Sequence, residues 1–191
     1  ALRLLHDLLY SFSLQKSRTL KTMIKRRIST IIIILLAFLL QTTVFHKLAL
    51  ANVVPNLLLI LTVCYSYMRG RTSGEVIGLV CGLMLDMMYG SVIGLYAFIF
   101  MTIGFLCGYC QKIYFTDNYI LPCVLVGLSD LVYGFYYYIT EFLVRGKLHF
   151  TFYFSHIILP ELIYTLVISV VVFRVLNRLE KYLSTERREE V

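Results

Sequence analysis

Charge is what this chain has least of: 15% of its 191 residues are charged, against 59% hydrophobic, and the mean hydropathy is +0.79. That balance excludes an ordinary soluble domain and reads as a polytopic membrane protein. Acids are scarcer than bases, 11 against 18, and the bases crowd toward both ends of the chain. Basic ends flanking apolar runs read as topology signals and contacts with anionic lipid, not as a nucleic-acid surface. Tryptophan is absent, so interfacial belts fall to tyrosines near the ends of the runs: Tyr65, Tyr67, Tyr89, Tyr109, Tyr114 and Tyr119.

Catalytic patterns are missing too. His6, His46, His149 and His156 are scattered, with no Ser or Cys nucleophile set beside them, and no glycine loop is built to cradle phosphate. Cys64, Cys81, Cys107, Cys110 and Cys123 all fall in or beside apolar runs and read as buried thiols. Cys107 and Cys110 form a CxxC with no second pair and no neighbouring His. The expectation is a protein without catalytic residues, cofactor or metal.

What is present is a series of six apolar runs: Ile28 to Phe45, Val53 to Met68, Ser73 to Tyr89, Ser91 to Tyr109, Tyr119 to Val144 and Phe150 to Leu176. About 20 residues span the hydrocarbon core, so the second and third are short and the last two can tilt. With the N-terminus inside, the inner segments carry Lys25, Arg26, Arg27, Arg69, Arg71, Lys112, Arg174, Arg178 and Lys181, and the outer ones Lys47, Arg145 and Lys147. The reading is all-α, with six transmembrane helices and both termini in the cytoplasm. Met23 and the basic Lys25 to Arg27 look like the start of a membrane protein. Residues 1–22 then form an N-terminal extension outside the fold or an interfacial helix, 23–179 the membrane domain and 180–191 a charged tail.

Within the third run, Gly74, Gly78 and Gly82 recur every four residues and Asp86 follows at the same spacing. Residues four apart share a helix face, and small residues on one face let another helix approach closely in lipid. The face is expected to receive a partner helix, with Gly90 and Gly94 belonging to a turn. Ionisable groups within spans are functional candidates by default; here they are Asp86, Asp130 and Glu161, with Gln41 and Asn56 as polar neighbours. Tyrosines Tyr89, Tyr133 and Tyr164 each follow a carboxylate by three residues, where a phenol can donate to it, and Tyr137 and Glu141 extend the stripe in the fifth helix. Three readings stay open: interhelical hydrogen bonds, a ligand cavity or proton path, and a docking face. Pro160 is expected to kink the sixth helix.

Several stretches resemble the MreD family of rod shape-determining proteins: the basic Met23 to Arg27, QTTVF at Gln41 to Phe45, PNLLLILTV at Pro55 to Val63, the glycine series within Arg69 to Phe98, and the later helix with Pro160 and Tyr164. The resemblance runs from Met23 to about Leu179. It implies a non-catalytic inner-membrane subunit that associates with MreC. Through MreC it would reach MreB, the RodA glycosyltransferase and a class-B penicillin-binding protein in the elongation machinery. It also implies a fold similar to the S components of energy-coupling-factor transporters. Two functions follow from different classes. One is a scaffold whose glycine face takes the MreC helix. The other is a carrier that holds a small molecule or lipid precursor among Asp130, Glu161 and the tyrosines.

Overall fold

The computed structural model describes residues 23–45, 54–90, 93–113, 120–140 and 154–189. Among them every apolar run is helical and no strand occurs. Helix α1 covers residues 23–39 and widens into a π turn at Leu40–Phe45. Then come α2 (Leu57–Arg69), α3 (Arg71–Tyr89), α4 (Leu95–Cys107, tightening into a 3-10 turn at Gly108–Ile113), α5 (Ile120–Tyr138) and α6 (Leu159–Glu189). Among the described residues three stretches are, by length and apolar composition, able to cross a bilayer: Leu95–Lys112, Ile120–Tyr138 and Leu159–Tyr182. The expected N-terminal extension 1–22, the bases Lys47, Arg145 and Lys147, and Tyr114, Tyr119 and Glu141 lie outside the described residues.

A short helix is the centre. A helix that is apolar on every side has no face to give to water or lipid and is covered all round. In α2 every residue from Leu57 to Met68 is buried, and α3, α4, α5 and α6 all pack on it. Its 13 residues span about 20 Å at 1.5 Å per residue, short of the ~30 Å hydrocarbon core. Apolar side chains of the surrounding helices turn outward instead, as with Ile31 and Leu36 on α1, Val124 and Leu128 on α5, and Val167 and Val171 on α6. In water such a surface would aggregate; in lipid it is the ordinary exterior.

One end of the bundle is held by arginines. Arg69 closes α2 and reaches α6, donating from Nε to Glu180 Oε1 at 3.3 Å and from Nη2 to Oε2 at 2.8 Å. Its Nη1 donates to Thr30 Oγ1 of α1 at 2.7 Å, and Arg26 of α1 forms an ion pair with the same Glu180. The α2–α3 joint at Gly70 abuts Gln111 after α4, and Arg71 sits over the Tyr109 ring at 4.5 Å. The start of α1, the α2–α3 joint, the end of α4 and the late part of α6 therefore share one end, and α3 and α4 run antiparallel. Helix α6 continues unbroken through the boundary expected at 179, and Glu180 belongs to the bundle.

Pro160 lies at a change in helix type. It is the second residue of α6, directly after a π turn at Phe154–Ile158. The helical run is continuous from Phe154, and proline has no N–H to give to the turn before it. The missing donor fits the wide turn that precedes it.

Candidate functional site

The glycine face of α3 is occupied by the chain's own α4. A Cβ built on Gly78 would strike the Phe100 carbonyl, one on Gly82 would strike the Ala97 backbone, and one on Gly74 would meet the Gly104 carbonyl and Ser66 Oγ. Ser66 of α2 donates its hydroxyl to the same Gly104 carbonyl, so three helices cross at one point. The expectation that Gly74, Gly78 and Gly82 stand open to another protein's helix is thereby corrected: neighbouring antiparallel segments joined by a short loop fill the groove first. The matching half of the contact is Gly104, with Gly108 one turn on, whose Cβ would meet the Arg71 backbone. Those two glycines are also four apart, and that spacing is the signal that would have found them.

Asp86 is buried and sits at the end of the glycine face, against the beginning of α4. Its Oδ1 accepts from the Tyr96 N–H and its Oδ2 from the Ala97 N–H, both at 3.0 Å. The first N–H groups of a helix have no partner within it, and a carboxylate there meets both the donors and the positive end of the helix dipole. Gly94 begins α4 with φ 106°, a backbone region that glycine enters without Cβ strain. Tyr89, expected to donate to Asp86, is half exposed, and both carboxylate oxygens are taken by the backbone.

Gln41 and Asn56 perform the same task for α2. Asn56 Oδ1 accepts from Leu59 N–H and Gln41 Oε1 from Leu58 N–H, each at 3.1 Å, and the Asn56 N–H donates to Thr165 Oγ1 of α6 at 3.4 Å. A short helix that starts inside the bundle cannot use water for these groups, so side chains from α1, α2 and α6 supply the partners.

The other carboxylates meet around tyrosines. Asp130 is buried on α5, and its Oδ1 has no hydrogen-bond partner among the described residues. Glu161 on α6 lies within electrostatic reach of Asp130, and Tyr133 within reach of both. The Tyr133 ring packs against Tyr96 at 6.2 Å, Tyr137 at 6.4 Å and Phe100 at 5.7 Å, while Tyr136 Oη donates to the Leu95 carbonyl at 3.3 Å. Tyr164 is half-buried one turn beyond Glu161. The eight polar residues expected from the sequence therefore divide into α2-start caps, an α4-start cap and an acidic pair with tyrosines. Tyr96 links the last two, its N–H bonded to Asp86 and its ring packed against Tyr133. Cys107 Sγ and Ser129 Oγ stand 3.4 Å apart, joining α4 to α5.

A helical bundle with a lipid-type exterior, a fully covered central helix and buried polar groups that close helix ends is a structural membrane protein. The chain matches the family of the rod shape-determining protein MreD over residues 22–183 and belongs to it. No curated protein and no solved structure gives a significant match.

Proposed function

We propose that this chain is a non-catalytic scaffold subunit of the bacterial inner membrane, crossing it six times with both termini in the cytoplasm. It binds the transmembrane helix of MreC and, through it, couples MreB to RodA and a class-B penicillin-binding protein in lateral wall synthesis. The observation that carries the reading is the family match over residues 22–183, which takes in the whole membrane bundle. Asp86, Gln41 and Asn56 agree with it, since each binds a helix start and none of these acceptors is left for substrate. Because α4 fills the glycine face, MreC docks on an outward, lipid-facing surface.

The test is copurification. A tagged chain expressed with MreC should retain it through solubilisation, and cells lacking the chain should regain rod shape when it is supplied. A chain that keeps a cooperative thermal transition yet retains no MreC would sink the proposal.

A carrier in the manner of an S component has one observation in its favour, the Asp130 Oδ1 beside the tyrosines, which has no hydrogen-bond partner among the described residues. A panel of vitamins and lipid precursors that leaves the thermal midpoint unmoved would remove it.

A further inference from the structure

A cleft of about 480 Å³ runs between α1 and α3 beneath the arginine end. Arg27, Arg69, Thr30 and Ser73 line it nearest that end, and Ile34, Val76 and Val80 lie farther along. Arg27 and Ile34 on α1, like Ser73 and Val80 on α3, stand seven positions apart, so the polar mouth gives way to an apolar slot over about 10 Å on both walls. Its rim is open to the outside: Ile31 and Val76 are 65% and 60% exposed.

We propose that this cleft binds one phospholipid with an anionic headgroup, its phosphate at Arg27 and Arg69 and an acyl chain along Val76 and Val80. Charge supports this occupant. Arg26, Arg27 and Arg69 bring three positive charges to this corner and Glu180 neutralises one of them, leaving two. Among the described residues Arg69 uses three of its five N–H donors on Glu180 and Thr30, which leaves two for phosphate oxygens. Ser73 adds a hydroxyl at the same level, whereas that of Thr30 donates to the Arg26 carbonyl at 2.8 Å. The order of polarity along the cleft is that of a lipid, charged at the head and apolar below. A free phosphate ion would use only the mouth, and a neutral apolar helix would leave the arginines without an anion.

The full chain is purified in neutral detergent with its lipids exchanged, and thermal midpoints and lipid adducts in native mass spectra are read with phosphatidylglycerol, phosphatidylcholine or inorganic phosphate. Phosphatidylglycerol should raise the midpoint by about 5 °C at saturating mole fraction and form adducts on the order of tenfold over phosphatidylcholine. Inorganic phosphate should do neither. Arg27→Gln, at an exposed position where the fold survives, should abolish the preference for the anionic lipid. Val80→Trp, which blocks the slot, should abolish the adduct altogether. Equal shifts by the two lipids, a full shift by phosphate alone, or an unchanged preference in Arg27→Gln would overturn the proposal. So would a Val80→Trp chain that loses MreC but keeps its lipid adduct, because the cleft would then belong to a protein helix.

Discussion

Gly74 on α3 and Gly104 on α4 touch through their backbones: a Cβ on Gly104 would stand 2.6 Å from the Gly74 carbonyl carbon. Any side chain at either position must push two helices apart. Because Ser66 of α2 binds the same Gly104 carbonyl, the central helix would lose its hydrogen bond in the same movement.

Gly104→Leu and Gly78→Leu are therefore expected to destabilise the bundle by about 3 kcal/mol or more, since the obstructing atoms are backbone. Gly127→Ala is the control. Its Cβ would meet Leu166 Cδ2 at 3.1 Å, a movable side-chain end, and the cost should stay below about 1 kcal/mol. Midpoints in detergent that fall equally for Gly104→Leu and Gly127→Ala would contradict the packing described.

Asp86→Ala should cost about 2 kcal/mol, because two N–H groups at the start of α4 lose their carboxylate acceptor in a buried site. Asp86→Asn keeps one acceptor oxygen and should fall about halfway. Hydrogen exchange at the Tyr96 and Ala97 amides is the local readout. Protection there that survives Asp86→Ala would show that another group caps α4.

Glu180 is 15% exposed and Arg69 11%, whereas Arg26 is 44% exposed. The Arg69–Glu180 pair is also two-pronged, which favours it geometrically. Double-mutant cycles should give a coupling of about 1–2 kcal/mol for Arg69–Glu180 and less than about 1 kcal/mol for Arg26–Glu180. A chain ended at residue 179 should melt below the full chain by a similar margin. A larger coupling for Arg26 would reverse the assignment of the latch.

Asp130→Leu should leave the thermal midpoint unchanged or raise it, because the buried Oδ1 has no partner to lose among the described residues. If the same variant fails to restore rod shape in cells lacking the chain, Asp130 is retained for function and not for folding. A midpoint lowered by more than about 5 °C would mean that the carboxylate holds the helices together.

The helices were legible in the sequence because apolar runs of these lengths have one stable backbone solution in lipid, and residues 57–69 and 71–89 fall within or beside the expected runs. Gly74, Gly78 and Gly82 were legible as a close-packing face because their spacing matches the helix repeat. Their occupant was not, since periodicity describes one surface and says nothing of what lies against it. Glu180 was missed for a related reason: a charged C-terminal segment looks like a tail until Arg69 and Arg26 are found opposite it. The role of Asp86 was hidden because its partners are main-chain N–H groups, present at every residue and invisible in a side-chain pattern.

By itself the sequence determined a helical protein suited to a membrane, because hydropathy and spacing are properties of the chain taken locally, and its match over residues 22–183 gave the rod shape-determining family. Only the tertiary structure decided that α4 fills the glycine face, that Asp86 and Gln41 each cap the helix that follows their own, and that α2 is the covered centre. Those outcomes depend on which helices pack side by side, and burial, hydrogen-bond partners and open clefts exist only once that packing is made.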